Sequence, residues 1–149
     1  MGNRAVITTK QDIENDGVGV YLHWNGGRDS VEAFLAFCKA KGYRPPEQDS
    51  YGYAYLCTTI GNFFKDGLSL GIDKLTNLDQ DNFDNGVYIT KDWSIVGRKY
   101  FYGAEQCAYD FYDILSDINN SQPQAMQLSK EELRKIQEPE FFYSQHSND

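Results

Sequence analysis

No stretch of this sequence approaches the roughly 18 consecutive apolar residues that a membrane-spanning helix requires, which excludes an integral membrane reading. Basic residues are scarce and scattered, and the densest run is the dipeptide Arg98-Lys99. Fourteen Lys and Arg stand against twenty-two acids, giving a net charge of −8. That balance repels nucleic-acid backbones and anionic membrane surfaces, so direct nucleic-acid binding is disfavoured. Histidine occurs only twice and no Cys-x-x-Cys pair exists, so a zinc site lacks its usual donors. The three cysteines, Cys38, Cys57 and Cys107, are odd in number and widely spaced. They argue against a disulfide framework and for a reducing compartment. Met1 to Thr8 lacks the apolar core of a signal peptide, and Val6 stands where a myristoylation start needs Ser or Thr. A cytoplasmic protein is the expectation.

What the chain does have suits a globular fold. Its 149 residues are 40% hydrophobic and 15% aromatic, the size and composition of one domain with one core. Ala5 to Thr9 and Val18 to Trp24 are β-rich runs joined through Asp16-Gly17, which predicts an antiparallel hairpin with a longish loop. Val31, Phe34, Leu35 and Cys38 form an apolar helical stripe. Asp29 is the expected N-cap of that helix, Glu32 its capping-box partner, and Gly42 its stop. A second helix is expected from about Tyr51 to Lys65, burying Leu56, Cys57, Ile60 and Phe64, and a short strand from Leu68 to Ile72. Val87 to Thr90 and Ser94 to Val96 read as a second hairpin, which Arg98 to Tyr102 could lengthen.

A third helix is expected from about Ala104 to Ile118 with Cys107 facing inward. Ser129 with Glu132 makes a capping box for a last short helix, with Leu128 and Leu133 as a hydrophobic staple. The expected fold is α+β, with a mainly antiparallel sheet from two β-hairpins packed with three to four helices. It should span residues 1–138 as a single domain. Residues 139–149 should form a tail that is mobile or docked through Phe141, Phe142 and Tyr143.

The most distinctive segment is His23-Trp24-Asn25-Gly26-Gly27-Arg28-Asp29-Ser30, which joins a strand to a helix start. Glycines let a backbone approach an anion, and the first N–H groups of a helix point at it. Arg28 could add a bidentate contact, and His23 and Trp24 could line the site. Asn25 to Ser30 is therefore a candidate nucleotide or phosphorylated-ligand loop. Gly26, Gly27, Asp29 and Ser30 also resemble the Ser-Gly-Gly-x-Asp-Ser signature of the PP-loop ATP pyrophosphatases, with Asn25 in place of the leading serine. That resemblance implies an ATP-using enzyme and requires Val18 to Trp24 to pair with a parallel neighbour. The plainer reading is that Gly26-Gly27 turns the chain, Asp29 caps the helix and Arg28 is solvated.

Two groups of acids stand out. Asp79, Asp81 and Asp84 occupy a polar loop that is similar to a calcium loop, but Thr90 stands at the twelfth position, where that loop needs Glu. Asp110, Asp113 and Asp117 share one helix face, and no Lys or Arg occurs between Phe101 and Ser129. Either group could imitate a row of phosphates, although an exposed acidic face is usually only solvated. No catalytic residue, metal or cofactor is expected.

Gly2 to Thr8, the block from Gly19 to Tyr43, Ile60 to Phe64 and Asp84 to Ile89 together resemble a family of small phage and mobile-element proteins of Gram-positive bacteria, of unknown function. The resemblance spans roughly residues 2 to 118, with His23 to Leu35 its most specific part. It implies the cytoplasm of a bacterial host and a role in disabling host defences by binding. The leading expectation is a non-enzymatic inhibitor of a nucleic-acid-targeting defence system, such as a CRISPR effector or restriction enzyme, acting through the acidic surfaces.

Overall fold

The computed structural model describes residues 2–65 and 69–140. Five strands, β1 (Ala5–Thr9), β2 (Val18–Leu22), β3 (Leu70–Lys74), β4 (Val87–Lys91) and β5 (Ser94–Lys99), form one sheet in the order β3-β2-β1-β4-β5. β1 pairs antiparallel with β2, β2 with β3, and β4 with β5. The two hairpins join through a parallel pairing of β1 with β4. The fold is thus α+β with a mainly antiparallel sheet, as the patterning predicts. Every residue of β1 is buried, because the central strand is covered on both faces.

Side-chain alternation divides the core in two. Ala5, Ile7, Val20, Leu22 and Tyr88 face the larger cluster, built with the long helices. Val6 and Val87 pack with Leu75 in a smaller one, against which Ile13, Tyr21, Leu78 and Ile89 lie. The expected hairpin loop contains a one-turn helix, α1 (Lys10–Glu14), capped by the Thr9 hydroxyl accepting from the Asp12 N–H. α2 (Arg28–Ala40) buries the predicted stripe and stops at Gly42, which holds φ at +74°. α3 (Ser50–Phe64) starts on an Asp49 cap; Leu56 and Ile60 are buried, while Cys57 and Phe64 are only half-buried. Gly52 is no accident within it. A Cβ there would stand 2.3 Å from the Pro45 carbonyl carbon, where the preceding chain crosses the helix.

Three sequence expectations are corrected. Asp29 does not cap α2: the cap position is Gly27, and the Asp29 carboxylate, one residue inside the first turn, accepts from the N–H groups of Ser30 and Tyr109. Glu32 turns to Arg28 instead of closing a capping box. Both changes follow from burial. The segment between Phe101 and Asp110 packs over this helix start and supplies tertiary partners that a solvent-facing terminus would lack. The third correction has the same cause. α4 (Phe111–Ser121) begins later than Ala104, on an Asp110 cap, and leaves Cys107 exposed outside the helix.

β5 ends at Lys99, short of Tyr102. At the other end of the chain the Ser129–Glu132 capping box is formed at α5 (Lys130–Arg134). Leu128 is buried and Leu133 packs on the core beside it. Leu68 and the Phe141 to Tyr143 cluster lie outside the described residues. Among the described residues no helix is long and apolar enough to cross a membrane.

Candidate functional site

The glycine junction is filled by the protein itself. Asn25 adopts φ +57° and donates from Nδ2 to Ser30 Oγ at 3.2 Å. A Cβ on Gly26 would lie 2.4 Å from the Asn3 carbonyl oxygen, and one on Gly27 would lie 2.2 Å from that of Gln106. Both glycines therefore serve the close passage of neighbouring chain. The Tyr88 hydroxyl closes the junction from below, donating to the Gly26 carbonyl at 2.8 Å. His23 and Trp24 sit on the strand side; the His23 ring meets the Tyr21 hydroxyl and packs edge-on against a half-exposed Trp24. β2 is flanked by β1 and β3, both antiparallel. The parallel neighbour that a PP-loop arrangement requires is not beside this strand.

Arg28 is the centre of the site and only 1% exposed, not solvated. Its Nε donates to Glu32 at 3.1 Å and its Nη1 to Glu105 at 2.8 Å. Glu105 also takes two bonds from Arg98 Nη1, at 2.8 and 2.9 Å. Arg98 Nη2 donates to the Asn85 carbonyl, and its guanidinium lies 4.0 Å from the Tyr88 ring centre and 3.9 Å from that of Phe101. Two arginines and two glutamates thus form a largely buried cluster that ties α2, β5 and the Phe101–Asp110 segment together. Buried charges persist only when paired and hydrogen-bonded in this way. An incoming phosphate would have to displace carboxylates already held.

Glu32 also opens onto a groove of about 760 Å³ between α2, β5 and the chain around α5, with Trp93, Ile95 and Ile136 among its lining. Burial pushes the Glu32 carboxyl up to about 7, against the pull of Arg28, and the nearby carboxylates of Glu105 and Glu138 add to the rise. The consequence for stability has a definite sign. The native state holds this proton at pH values where the unfolded chain, near 4.5, has released it. Stability should therefore fall as pH rises from about 5 to about 7, by on the order of 3 kcal/mol for this group, and level off above. Urea unfolding across that range checks it: Glu32→Gln should flatten the slope, and an unchanged slope would contradict the assignment.

The six acids separate into different roles. Asp84 and Asp79 both pair with Arg4, at 2.8 and 3.2 Å. Burial works against the Asp84 carboxylate, but two hydrogen bonds from Arg4 and its charge outweigh that and hold it below the usual range. Asp81 accepts from the Tyr102 hydroxyl at 2.5 Å. Asp110 is the α4 cap, bound to the N–H groups of Tyr112 and Asp113. Asp113 and Asp117 are exposed one turn apart on α4.

Beside Asp81 stands Phe83, 77% exposed, at φ +62°, with its ring 6.1 Å from that of Tyr102 and nearly parallel to it. Among the described residues no group of three or more His, Cys, Asp or Glu is arranged to hold a metal ion.

Sequence reasoning missed Glu105, Arg98, Trp93 and Phe83. Glu105 and Arg98 meet Arg28 only through tertiary packing, so no local spacing announces them. The absence of Lys and Arg between Phe101 and Ser129 did carry a trace of the pairing, since a part-buried acid there must find its cation elsewhere. No family model, no curated protein and no solved structure matches the chain, so its site is read from geometry and chemistry alone.

Proposed function

We propose that this chain is a non-enzymatic binding protein that engages a basic protein surface, of the kind a nucleic-acid-targeting host defence effector presents. The observation that carries this reading is Phe83. A bulky residue at φ +62° is held in a sparsely populated backbone region, and this one leaves 77% of its surface in water. Such strain costs of order 1–3 kcal/mol and concentrates at functional positions. Exposed aromatics beside charged groups are what interface hot spots are made of. Phe83 and Tyr102 stack as a pair, with Asp81 held against the Tyr102 hydroxyl and Asp79 close behind on Arg4. A basic partner suits these carboxylates and the net charge of −8. The exposed Asp113 and Asp117 offer a second acidic surface of the same character.

Retention of a partner on the immobilised protein from a bacterial lysate tests this directly. Binding should weaken steeply with salt and be lost in Phe83→Asn, a change that the left-handed backbone at 83 accepts without loss of stability. It should weaken in Asp81→Asn and in the Asp113→Asn/Asp117→Asn pair. The same proteins retained by wild type and Phe83→Asn at every salt concentration would defeat the proposal.

A further inference from the structure

The groove beside α2 combines apolar walls with charged residues of both signs, among them the buried pair Arg28 and Glu32. Leu35, Ile95, Trp93, Ile136 and Pro139 line it, and its volume of about 760 Å³ lies within the span of small-molecule sites. The Trp93 indole N–H is committed to the Tyr43 carbonyl at 2.7 Å, so the ring offers the groove only apolar and π surface. Trp93 also holds φ at +62°, in the β4–β5 turn where Gly or Asn is the usual choice. Glu32 faces the same space with 4% of its surface exposed. Its Oε1 accepts from Arg28, while Oε2, also buried, has no hydrogen-bond partner among the described residues. A buried carboxylate oxygen without a donor is costly and rare in a native structure.

We infer that this groove binds a small aromatic or alkyl amine, whose ammonium donates to Glu32 Oε2 while its apolar part lies against Trp93, Ile95 and Ile136. An ammonium supplies the donor that Glu32 Oε2 lacks; the groove's lining itself holds Arg28, Lys39 and Lys135 against Glu32, Glu132 and Glu140, so the choice of a cation rests on that unpartnered oxygen. A carboxylate or phosphate at that oxygen would meet Glu32 with like charge, and Arg28 beside it is already bonded to Glu32 and Glu105. The groove does not involve Phe83 or the acidic surfaces, so this site stands apart from the proposed partner surface.

Amide chemical shifts of the full chain, titrated with tryptamine, hexylamine, 3-ethylindole and indole-3-acetate, test it. Tryptamine should move the signals of Ala36, Ile95 and Ile136, with hexylamine moving the same set. The neutral 3-ethylindole should bind on the order of tenfold more weakly or worse, as the loss of one charge-assisted hydrogen bond implies. Glu32→Gln should weaken tryptamine by a similar factor, and the wild-type ligand comparison stands even where that variant folds poorly. Equal affinity for tryptamine and 3-ethylindole would overturn the inference. So would groove shifts produced by Phe142→Ser but by no amine at millimolar concentration, which would give the groove to residues 141–149 of the chain itself.

Discussion

Replacing Arg28 by methionine is expected to destabilise the protein by about 3–5 kcal/mol, a large share of the roughly 5–15 kcal/mol that holds a domain together. The effect comes less from the lost attraction than from what is left behind. Glu32 would keep a buried carboxylate without any donor, and the part-buried Glu105 would keep Arg98 alone. Arg28→Lys should recover little, because one ammonium cannot reproduce a fork that reaches two carboxylates on different elements. Adding Glu32→Leu to Arg28→Met should restore much of the stability, since an apolar replacement of a buried pair is often neutral or better. Chemical denaturation of the single and double variants measures this coupling directly. A cost below about 1 kcal/mol for Arg28→Met would place this residue in the exposed-pair class and remove the structural argument.

Gly86→Ala should be comparably damaging, for a purely backbone reason. Gly86 holds φ at +66°, where an L-residue loses roughly 1–2 kcal/mol. Its Cβ would also stand 2.4 Å from the carbonyl oxygens of both Lys99 and Tyr100, so backbone must move. Overpacking of that kind adds roughly 1–3 kcal/mol. The turn before it has little slack, because Asn82 Oδ1 accepts from the N–H groups of Asp84, Asn85 and Gly86 together. A loss of about 2–5 kcal/mol is the expected sum. Gly71→Ala is the control: nothing lies within 4 Å of its Cβ position on the edge strand β3, and its stability should change by no more than about 0.5 kcal/mol. Equal thermal shifts for the two variants would contradict this account.

Much of the fold was legible in the residues. The Val31, Phe34, Leu35 and Cys38 stripe, the Gly42 stop and the Ser129–Glu132 box are local signals, and each is realised within a residue or two. Asp16 marks a turn for the same reason: its short side chain tolerates left-handed backbone. The site was read less well. Asn25 to Ser30 stood out as a distinctive junction, and what the sequence did not show is its packing against Asn3, Gln106 and Tyr88. The stretch from Ala104 to Asp110 looked helical because apolar spacing says nothing about the buried arginines that capture Glu105.

Composition and local pattern were enough for the class of fold, the hairpins, the long helices and the acidity, because hydrophobic period, capping and turn chemistry act within a few residues. They could not say that Arg28 is buried, that Asp29 reaches Tyr109, or that Phe83 stands in water while Trp93 does not. Those outcomes depend on which distant segments meet. Burial converts a surface arginine into a structural one only once two carboxylates arrive from elsewhere in the chain. The acidity of the sequence is thereby divided. Part is paired within the fold by Arg28 and Arg98, part is paired at the surface by Arg4, and part is left outside at Asp81, Asp113 and Asp117. Tertiary pairing makes that division, because the charge of a side chain is set by its chemistry but its availability to a partner is set by what has already paired with it.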